Sequence, residues 1–258
     1  MKKKTGLSHI HMCVDRILTG EQKLRAMQLS IKENQKNQPV HKRLPGVSNH
    51  PMKMALETGK MWAKGRKLKI CFLDGSKIQK QKVKDHATQW LKYANVKFDF
   101  NAARTKSDIR ISFKADPGSW SYIGTDNLGI PKNEPTMNFG WLDDDTDDRE
   151  YNRVVVHEFG HALGCIHEHQ NPRGGIKWNE AKVYQYFAGP PNYWSKQDTY
   201  SNVIEKYSIN QLNASTFDKK SIMLYSFPGE LIVGGKPTLM NYTLSTRDRS
   251  FIKKMYPA

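Results

Sequence analysis

Three histidines and one glutamate between residues 157 and 167 have the types and spacing of a catalytic metal site. The run HEFGHALGCIH reads H-E-x-x-H-x-x-G-x-x-H. Residues four apart share one face of a helix, so His157 and His161 can present two imidazole nitrogens to one ion. Glu158 lies beside them, where it can take a proton from an activated water. Gly164 permits the sharp turn that ends the helix and brings His167 back as a third ligand. Three protein ligands leave one position open, which is typical of catalytic zinc.

Two neighbouring side chains are not expected to bind the metal. An isolated H-E-x-x-H run also occurs by chance, but here the glycine and the third histidine follow at the required offsets. Cys165 does not fit the ligand spacing, and we expect it to be a small buried packing residue. His169 is not needed as a ligand, because His167 already takes the third position.

The extended motif, together with a later Ser-Ile-Met-Leu-Tyr run at 221–225, resembles the metzincin family of zinc endopeptidases. In that family the methionine lies in a turn beneath the zinc, so the resemblance implies that Met223 supports the site without taking part in the chemistry. Tyr225 and Glu168 resemble the astacin branch. The segment 168–173 (EHQNPR) is similar to astacin-like and matrixin-like proteases of microbes. The resemblance covers roughly residues 60 to 258.

The resemblance implies a zinc-dependent endopeptidase that hydrolyses peptide bonds in proteins through a metal-activated water. Its one catalytic Zn²⁺ would be held by His157, His161 and His167. Glu158 would be the general base, and Tyr225 would ligate zinc at rest and then bind the tetrahedral oxyanion. The partner would be a protein or peptide substrate bound in extended form. The segment 119–124 is a candidate edge strand for that substrate, with a simple surface hairpin as the alternative.

The elements that must position these residues follow from hydrophobic periodicity. The fold class is α+β, resembling the zincin/metzincin fold: a twisted, mostly parallel sheet, two long helices in an upper subdomain, and an irregular lower subdomain ending in a helix. Alternation predicts strands, and helical spacing predicts helices. The strands are Lys67–Phe72, 96–100, 109–113 and 137–142; the helices are 79–93, 180–188, 199–207 and a last one opened by Ser245 and Asp248 with capping-box spacing.

An acidic run, Asp143 to Asp148, precedes the predicted metal-binding helix. Clustered carboxylates suit a hard cation, so a Ca²⁺ site is one interpretation, although the spaced EF-hand pattern is missing. The favoured interpretation is that these acids cap the helix and interact with its dipole.

The basic charge is concentrated at the N-terminus. The 258 residues carry a net charge of +16, and residues 1–66 contain 14 Lys and Arg against 4 Asp and Glu. We therefore divide the chain into a basic N-terminal extension, 1–58, and a catalytic domain, 59–258. An amphipathic helix is expected at 17–31 and a loop at 35–51. The extension reads as a removable propeptide, a delivery leader recognised by secretion machinery, an electrostatic tether, or a solvated tail. It shows no convincing inhibitory Cys or Asp motif.

Composition limits the remaining possibilities. No apolar stretch reaches transmembrane length, and residues 5–18 lack the apolar core of a secretory signal. Three widely spaced cysteines, Cys13, Cys71 and Cys165, imply no disulfide framework. The compartment stays open between the cytoplasm and delivery outside the cell. No specific nucleic-acid partner is predicted. The rival function is a non-catalytic zinc scaffold that binds an anionic partner through its basic extension.

Overall fold

A five-stranded sheet forms the upper half of the protein in a computed structural model that describes residues 13, 16, 18–39, 59–116, 118–190, 192–206 and 216–258. The strands lie in the order β2-β1-β3-β5-β4. Strands β1, β2, β3 and β5 are parallel, and β4 pairs antiparallel with β5 at the edge. The strands are β1 (Lys67–Phe72), β2 (Lys97–Asp99), β3 (Ile109–Ser112), β4 (Trp120–Ser121) and β5 (Met137–Asn138).

Six α-helices accompany the sheet in the described part of the chain. They are α1 (Gly20–Glu33), α2 (Lys77–Ala87), α3 (Asp148–Ala162), α4 (Glu180–Ala188), α5 (Lys196–Thr199) and α6 (Thr246–Met255). A 3-10 segment, Thr88–Lys92, continues α2, and a π-helical segment, Tyr200–Ile204, continues α5. The long helices α2 and α3 pack against each other. This arrangement agrees with the predicted α+β fold with two long helices above an irregular half.

The main core lies between the sheet and these two helices. Apolar residues of β1 and β3 are fully buried with the inner faces of α2 and α3. Trp90 donates its indole N–H to the carbonyl of Val156 at 2.8 Å, which ties the end of α2 to α3. Burial of such large side chains stabilises the fold by about 25 cal/mol for each Å² of apolar surface that is removed from water. The helix α3 is therefore a rigid element, which suits a metal site.

The first helix is packed into this body. Ser30 donates to the carbonyl of Gly59 at 2.7 Å, and Thr125 donates to the Ser30 hydroxyl at 2.8 Å. Asn37 donates to the carbonyl of Met61 at 2.8 Å and accepts from its N–H at 3.0 Å. These buried polar groups pair with one another, so they stabilise one position of α1 instead of opposing burial.

The lower half is irregular and has its own apolar cluster. Phe187 of α4 stacks on Trp194 with ring centroids 4.9 Å apart, and Trp178 contacts Phe227 edge-on at 4.8 Å. Leu231 is also buried in this cluster. No helix in the described ranges has the length and apolar character needed to cross a membrane.

Several predicted bounds differ from the structure. The helix expected at 17–31 runs from Gly20 to Glu33, because Thr19 and Gln22 form a capping box at its start. The helix expected at 79–93 is α-helical only from Lys77 to Ala87. The strand expected at 137–142 ends at Asn138, since the chain then turns and the Leu142 N–H donates to Phe139. The strands at 96–100 and 109–113 are also shorter than expected.

Two further expected elements are only partly covered by the described residues. The helix expected at 199–207 begins at Lys196, where Ser195 caps it; residue 207 lies outside the described residues. The loop expected at 35–51 includes a short 3-10 turn, Gln35–Asn37, and its part beyond residue 39 is also outside the described residues. The capping box of Ser245 and Asp248 at the last helix is confirmed.

Candidate active site

The metal-binding motif occupies the end of α3, as its spacing predicts. Asp147 caps this helix by accepting a hydrogen bond from the Arg149 N–H, which confirms the capping interpretation of the acidic run. The helix ends at Ala162. Gly164 follows with φ of 96°, a left-handed conformation that glycine adopts without a steric penalty. The turn returns the chain toward the helix and places His167 beside it.

The three histidines converge on one point. The Nε2 atom of His161 lies 3.1 Å from Nε2 of His157 and 3.0 Å from Nε2 of His167. All three rings are buried. Nδ1 of His157 faces the carbonyl of Ile222 at 2.9 Å, and Nδ1 of His161 faces the carbonyl of Cys165 at 2.9 Å. A carbonyl only accepts, so these Nδ1 atoms carry the protons and their Nε2 lone pairs face the common point.

This donor set fits a zinc ion. Tetrahedral zinc with bonds of about 2.0–2.1 Å separates its ligand atoms by about 3.3 Å, which is close to the observed distances. Burial, followed by the neighbouring His161 and His167, holds the pKa of His157 well below its ordinary value. A neutral imidazole can donate its lone pair to a metal. The carbonyls of Ile222 and Cys165 orient two ligands in the way that outer partners of zinc-bound histidines usually do.

Glu158 and Cys13 meet at the same place. Glu158 follows the first histidine on α3 and is buried. The Cys13 Sγ donates to Glu158 Oε2 at 3.3 Å. Sγ also belongs to a group of four donor atoms, with the three histidines, that all lie within 4.8 Å of one another. No inhibitory Cys motif was expected in the extension, yet the fold brings Cys13 to the metal-binding point, 145 residues from Glu158.

Tyr225 lies on the other side of this point. Its hydroxyl is 2.5 Å from Nε2 of His167 and donates to the backbone carbonyl of Cys13 at 3.2 Å. Met223 packs against the helix that carries two of the histidines, because a Cβ on Gly160 would meet the Met223 Sδ at 2.4 Å. The motif therefore needs a residue without a side chain at Gly160. Met223 has the supporting position that the resemblance implied.

The turn that carries Met223 is held from two directions. Asp248 accepts hydrogen bonds from the Ser221 hydroxyl at 2.7 Å and from the Ile222 N–H at 2.9 Å. The carbonyl of Ile222 in turn accepts from His157. The last helix, which has Asp248 in its first turn, is thus connected to a metal ligand through one residue of the turn at 221–225. Sequence reasoning identified Asp248 only as a helix cap.

Glu168 and His169, which follow the motif, make hydrogen bonds to neighbouring loops. Glu168 is half-buried and accepts from the Asp218 N–H at 2.7 Å and from Asn171 at 3.1 Å. Burial raises the pKa of Glu168 to about 7 in spite of these hydrogen bonds. His169 directs Nε2 to the carbonyl of Asn202 at 3.0 Å, away from the metal-binding group. Cys165 is buried, and burial raises the pKa of its thiol, as expected for an inert packing residue.

The N-terminal residues reach this site from α1. Leu18 is buried against Ala26 and Ile130. Arg16 lies over the ring of Trp120, with Cζ 4.4 Å from the ring centroid. Cys13, Trp120 and Tyr225 are members of one apolar cluster. We call residues 13–18 the arm, of which the structure describes 13, 16 and 18. Within the arm, Cys13 contacts the metal-binding group and Arg16 contacts Trp120 of edge strand β4.

Comparison with known proteins decides the family. The family model described as astacin, peptidase family M12A, matches residues 55–255. The chain belongs to the astacin family. A solved structure of myroilysin is 45% identical, covers 77% of this chain and 96% of its own, and has a TM-score of 0.75. A crystal structure of myroilysin is also 45% identical, covers 77% of this chain and 86% of its own, and has a TM-score of 0.61.

A more distant structure has the same fold. The hatching enzyme HCE-1 of the medaka fish Oryzias latipes, a zinc protease, is 18% identical, with a TM-score of 0.52 over 76% of this chain and 94% of its own. No curated protein matches the chain. Family membership makes this astacin a zinc metallopeptidase, and its zinc is compatible with the cluster of His157, His161 and His167.

Proposed function

We propose that this astacin is an endopeptidase in which Glu158 is the general base and His157, His161 and His167 hold one zinc ion. The observation that supports the ligand assignment is the convergence of three Nε2 atoms at 3.0–3.1 Å, with the proton on Nδ1 in two of the rings. Zinc bound there would acidify a water molecule and polarise the scissile carbonyl.

The position of Glu158 suits proton transfer. Its carboxylate lies close enough to the metal-binding point to accept a hydrogen bond from Cys13 Sγ, which belongs to the same donor group. With that thiol displaced, Oε2 would accept the proton of the attacking water and later deliver it to the leaving amine. Burial excludes competing water from the carboxylate. The side chain of Glu158 therefore has the location that a general base needs.

Tyr225 would bind the oxygen on which negative charge develops. Its hydroxyl already contacts the site, at 2.5 Å from His167 and 3.2 Å from the carbonyl of Cys13. A peptide carbonyl of a substrate would replace the carbonyl of Cys13 as the acceptor. A phenol donor placed in advance stabilises such charge without reorganisation during the reaction.

We further propose that the chain is latent in this form, with Cys13 of the extension 1–58 blocking the reacting groups of the catalytic domain 59–258. One residue, Cys13, engages both groups assigned to the chemistry: its thiol binds Glu158 and its carbonyl binds Tyr225. Its sulfur would also take the position that the three histidines leave open for water. Among the interpretations of the extension, this contact favours a propeptide over a delivery leader or a tether.

A peptide-library digestion with zinc-loaded full-length protein tests the function. Cys13→Ala should cleave peptides faster than the wild type, because it frees the open position and the base. Adding Glu158→Gln to Cys13→Ala should keep zinc but lower kcat by roughly 10²–10⁴-fold. Adding Glu180→Gln, on the surface of α4, should change nothing. Tyr225→Phe in the same background should lower kcat by roughly 10²–10³-fold with little effect on KM.

Two outcomes would contradict the proposal. Full activity of the Glu158→Gln protein would rule out Glu158 as the general base. No cleavage by the Cys13→Ala protein with zinc bound stoichiometrically would favour the rival zinc scaffold that binds an anionic partner. Latency has a separate readout: cobalt-substituted wild type should show a thiolate-to-metal absorption band that Cys13→Ala lacks and the control Cys71→Ala retains.

A further inference from the structure

The guanidinium of Arg16 lies on an aromatic surface, the ring of Trp120, which belongs to the same cluster as Cys13 and Tyr225. Its Cζ lies 4.4 Å from the centroid of the Trp120 ring. Trp120 is the first residue of edge strand β4, and Tyr122 meets its ring edge-on at 5.7 Å. No salt bridge joins Arg16 to an acid within the described ranges. The ring face of Trp120 is thus the contact that the structure gives to this cation.

This surface is close to the reacting centre. Arg16 follows Cys13 by three residues, a stretch that spans at most roughly 11 Å. Trp120 packs in the same cluster as Cys13 and Tyr225. A substrate with its scissile peptide at the position of Cys13 would therefore place a side chain about three residues away over Trp120. Arg16 shows that a cationic side chain fits over this ring.

We propose that Trp120 and Tyr122 form a cation-binding subsite that selects an arginine or lysine side chain about three residues from the scissile bond. The proposal rests on the endopeptidase function proposed above. The face of an indole ring carries negative charge density and attracts a guanidinium or ammonium group.

The geometry also suits extended polypeptide. Strand β4 is the last strand of the sheet and pairs with β5 on one side only among the described strands. A substrate strand can add to such an edge through main-chain hydrogen bonds, which contribute affinity but little selectivity. Selectivity must then come from side-chain surfaces along the edge, of which Trp120 and Tyr122 are two.

The first test does not depend on catalysis. The rate at which iodoacetamide labels Cys13 in zinc-loaded full-length protein, read by mass spectrometry, reports how often the arm opens. Arg16→Met, which keeps length but removes charge, should raise the rate about 2- to 30-fold, the range given by a cation–π contact. Arg16→Lys should stay near the wild-type rate. In a Trp120→Leu background, Arg16→Met should add little, because the partner ring is already missing.

The second test measures selectivity. The full-length double variant Cys13→Ala/Arg16→Met lacks both the thiol at the metal-binding point and the guanidinium on Trp120. It is given peptides in which one arginine is moved through the sequence, each paired with a citrulline peptide that has the same shape without the charge. At one position the arginine peptide should have a kcat/KM about 2- to 30-fold higher. Adding Trp120→Leu should bring this ratio near one, and adding Trp120→Phe should keep part of it.

The two tests separate the failure of each proposal. If Arg16→Met labels at the wild-type rate, or if it raises the rate equally with Trp120→Leu present, the subsite is wrong. If peptides are cleaved but arginine and citrulline are equivalent at every position, the subsite is wrong while the peptidase stands. If no peptide is cleaved, the peptidase proposal fails and the labelling rates decide whether Trp120 binds the cation. Thermal unfolding of each Trp120 variant verifies that it is folded.

Discussion

Replacing Asp248 should affect both the fold and the metal site, although this residue touches no metal ligand. Its carboxylate accepts hydrogen bonds from the Ser221 hydroxyl at 2.7 Å and from the N–H groups of Ile222 and Ser245 at 2.9 Å each. The carbonyl of Ile222 accepts from His157. We therefore expect Asp248→Ala to loosen the turn that carries Met223 and, through it, the orientation of one zinc ligand.

The magnitude follows from the groups that lose a partner. Asp248→Ala leaves the buried N–H of Ile222 without this acceptor, at a cost of about 1–3 kcal/mol, and the partly buried N–H of Ser245, which costs less. The Ser221 hydroxyl can rotate and costs less. We expect a loss of about 3–5 kcal/mol in the free energy of unfolding. Asp248→Asn can keep one oxygen at the position of Oδ2, which serves both N–H groups, and its amide can donate to Ser221. Its loss should be about 1 kcal/mol.

A matched control separates the helix cap from the turn. Asp198 forms the same capping box with Ser195 at the start of α5, but it is exposed, and its carboxylate accepts from Ser195 at the helix start. Asp198→Ala should cost about 1 kcal/mol, the usual effect of losing a cap. The excess of Asp248→Ala over Asp198→Ala then measures the contacts with Ser221 and Ile222.

Two measurements on full-length protein decide the question. Urea unfolding of the zinc-free protein gives the stability differences, and competition with a chelator gives the zinc affinity. Losing an outer partner of a ligand typically lowers metal affinity 10–100-fold, so Asp248→Ala should lower it about 10-fold and Asp248→Asn much less. Equal losses for Ala and Asn would refute the hydrogen-bond argument. A large loss of stability with unchanged zinc affinity would refute the connection to His157.

Three further outcomes follow from the structure. Gly160→Ala should lower stability by about 1–3 kcal/mol in calorimetry, because its Cβ would meet Met223 Sδ at 2.4 Å and the Trp90 ring at 3.1 Å; an unchanged Tm would contradict this packing. Removing zinc with a chelator should lower Tm, since a ligand bound only to the folded state stabilises it; excess zinc should restore it. Burial raises the pKa of Asp248 above the unfolded value of about 3.9, so the folded protein binds this proton first. The stability advantage of wild type over Asp248→Asn should therefore shrink as pH rises from about 4 toward 7 in urea titrations; a growing advantage would contradict the direction of the shift.

The part of the site that the sequence could predict is the part built from local geometry. His157 and His161 are four residues apart on one helix, so their common direction follows from the helical repeat alone. Gly164 sets the turn that returns His167. The capping box at Ser245 and the cap that Asp147 provides in the acidic run depend on spacings of a few residues. Such patterns hold because helix geometry leaves few alternatives.

The part that could not be predicted depends on contacts between distant residues. Cys13 is a single cysteine in a basic segment, and nothing in its neighbours specifies a partner 145 residues away. Asp248 looked like a helix cap because its hydrogen bonds to the turn at 221 and 222 are also non-local. The start of α1 was available from the sequence, since Thr19 and Gln22 have the capping-box spacing, but apolar periodicity moved the expected helix three residues earlier.

The described residues of the N-terminal segment have two kinds of attachment, and their difference bears on how the proposed latency would end. The helix α1 is fixed by buried polar pairs, such as Ser30 with Gly59, and by the contact of Glu33 with Arg66 at 3.1 Å. The arm is held by Cys13 at the metal-binding point and by Arg16 on Trp120. Buried hydrogen-bonded networks open only with much of the surrounding fold, whereas a thiol and one cation–π contact can be exchanged individually. Release of the arm therefore needs no displacement of α1, and the helix can remain in place beside an open cleft.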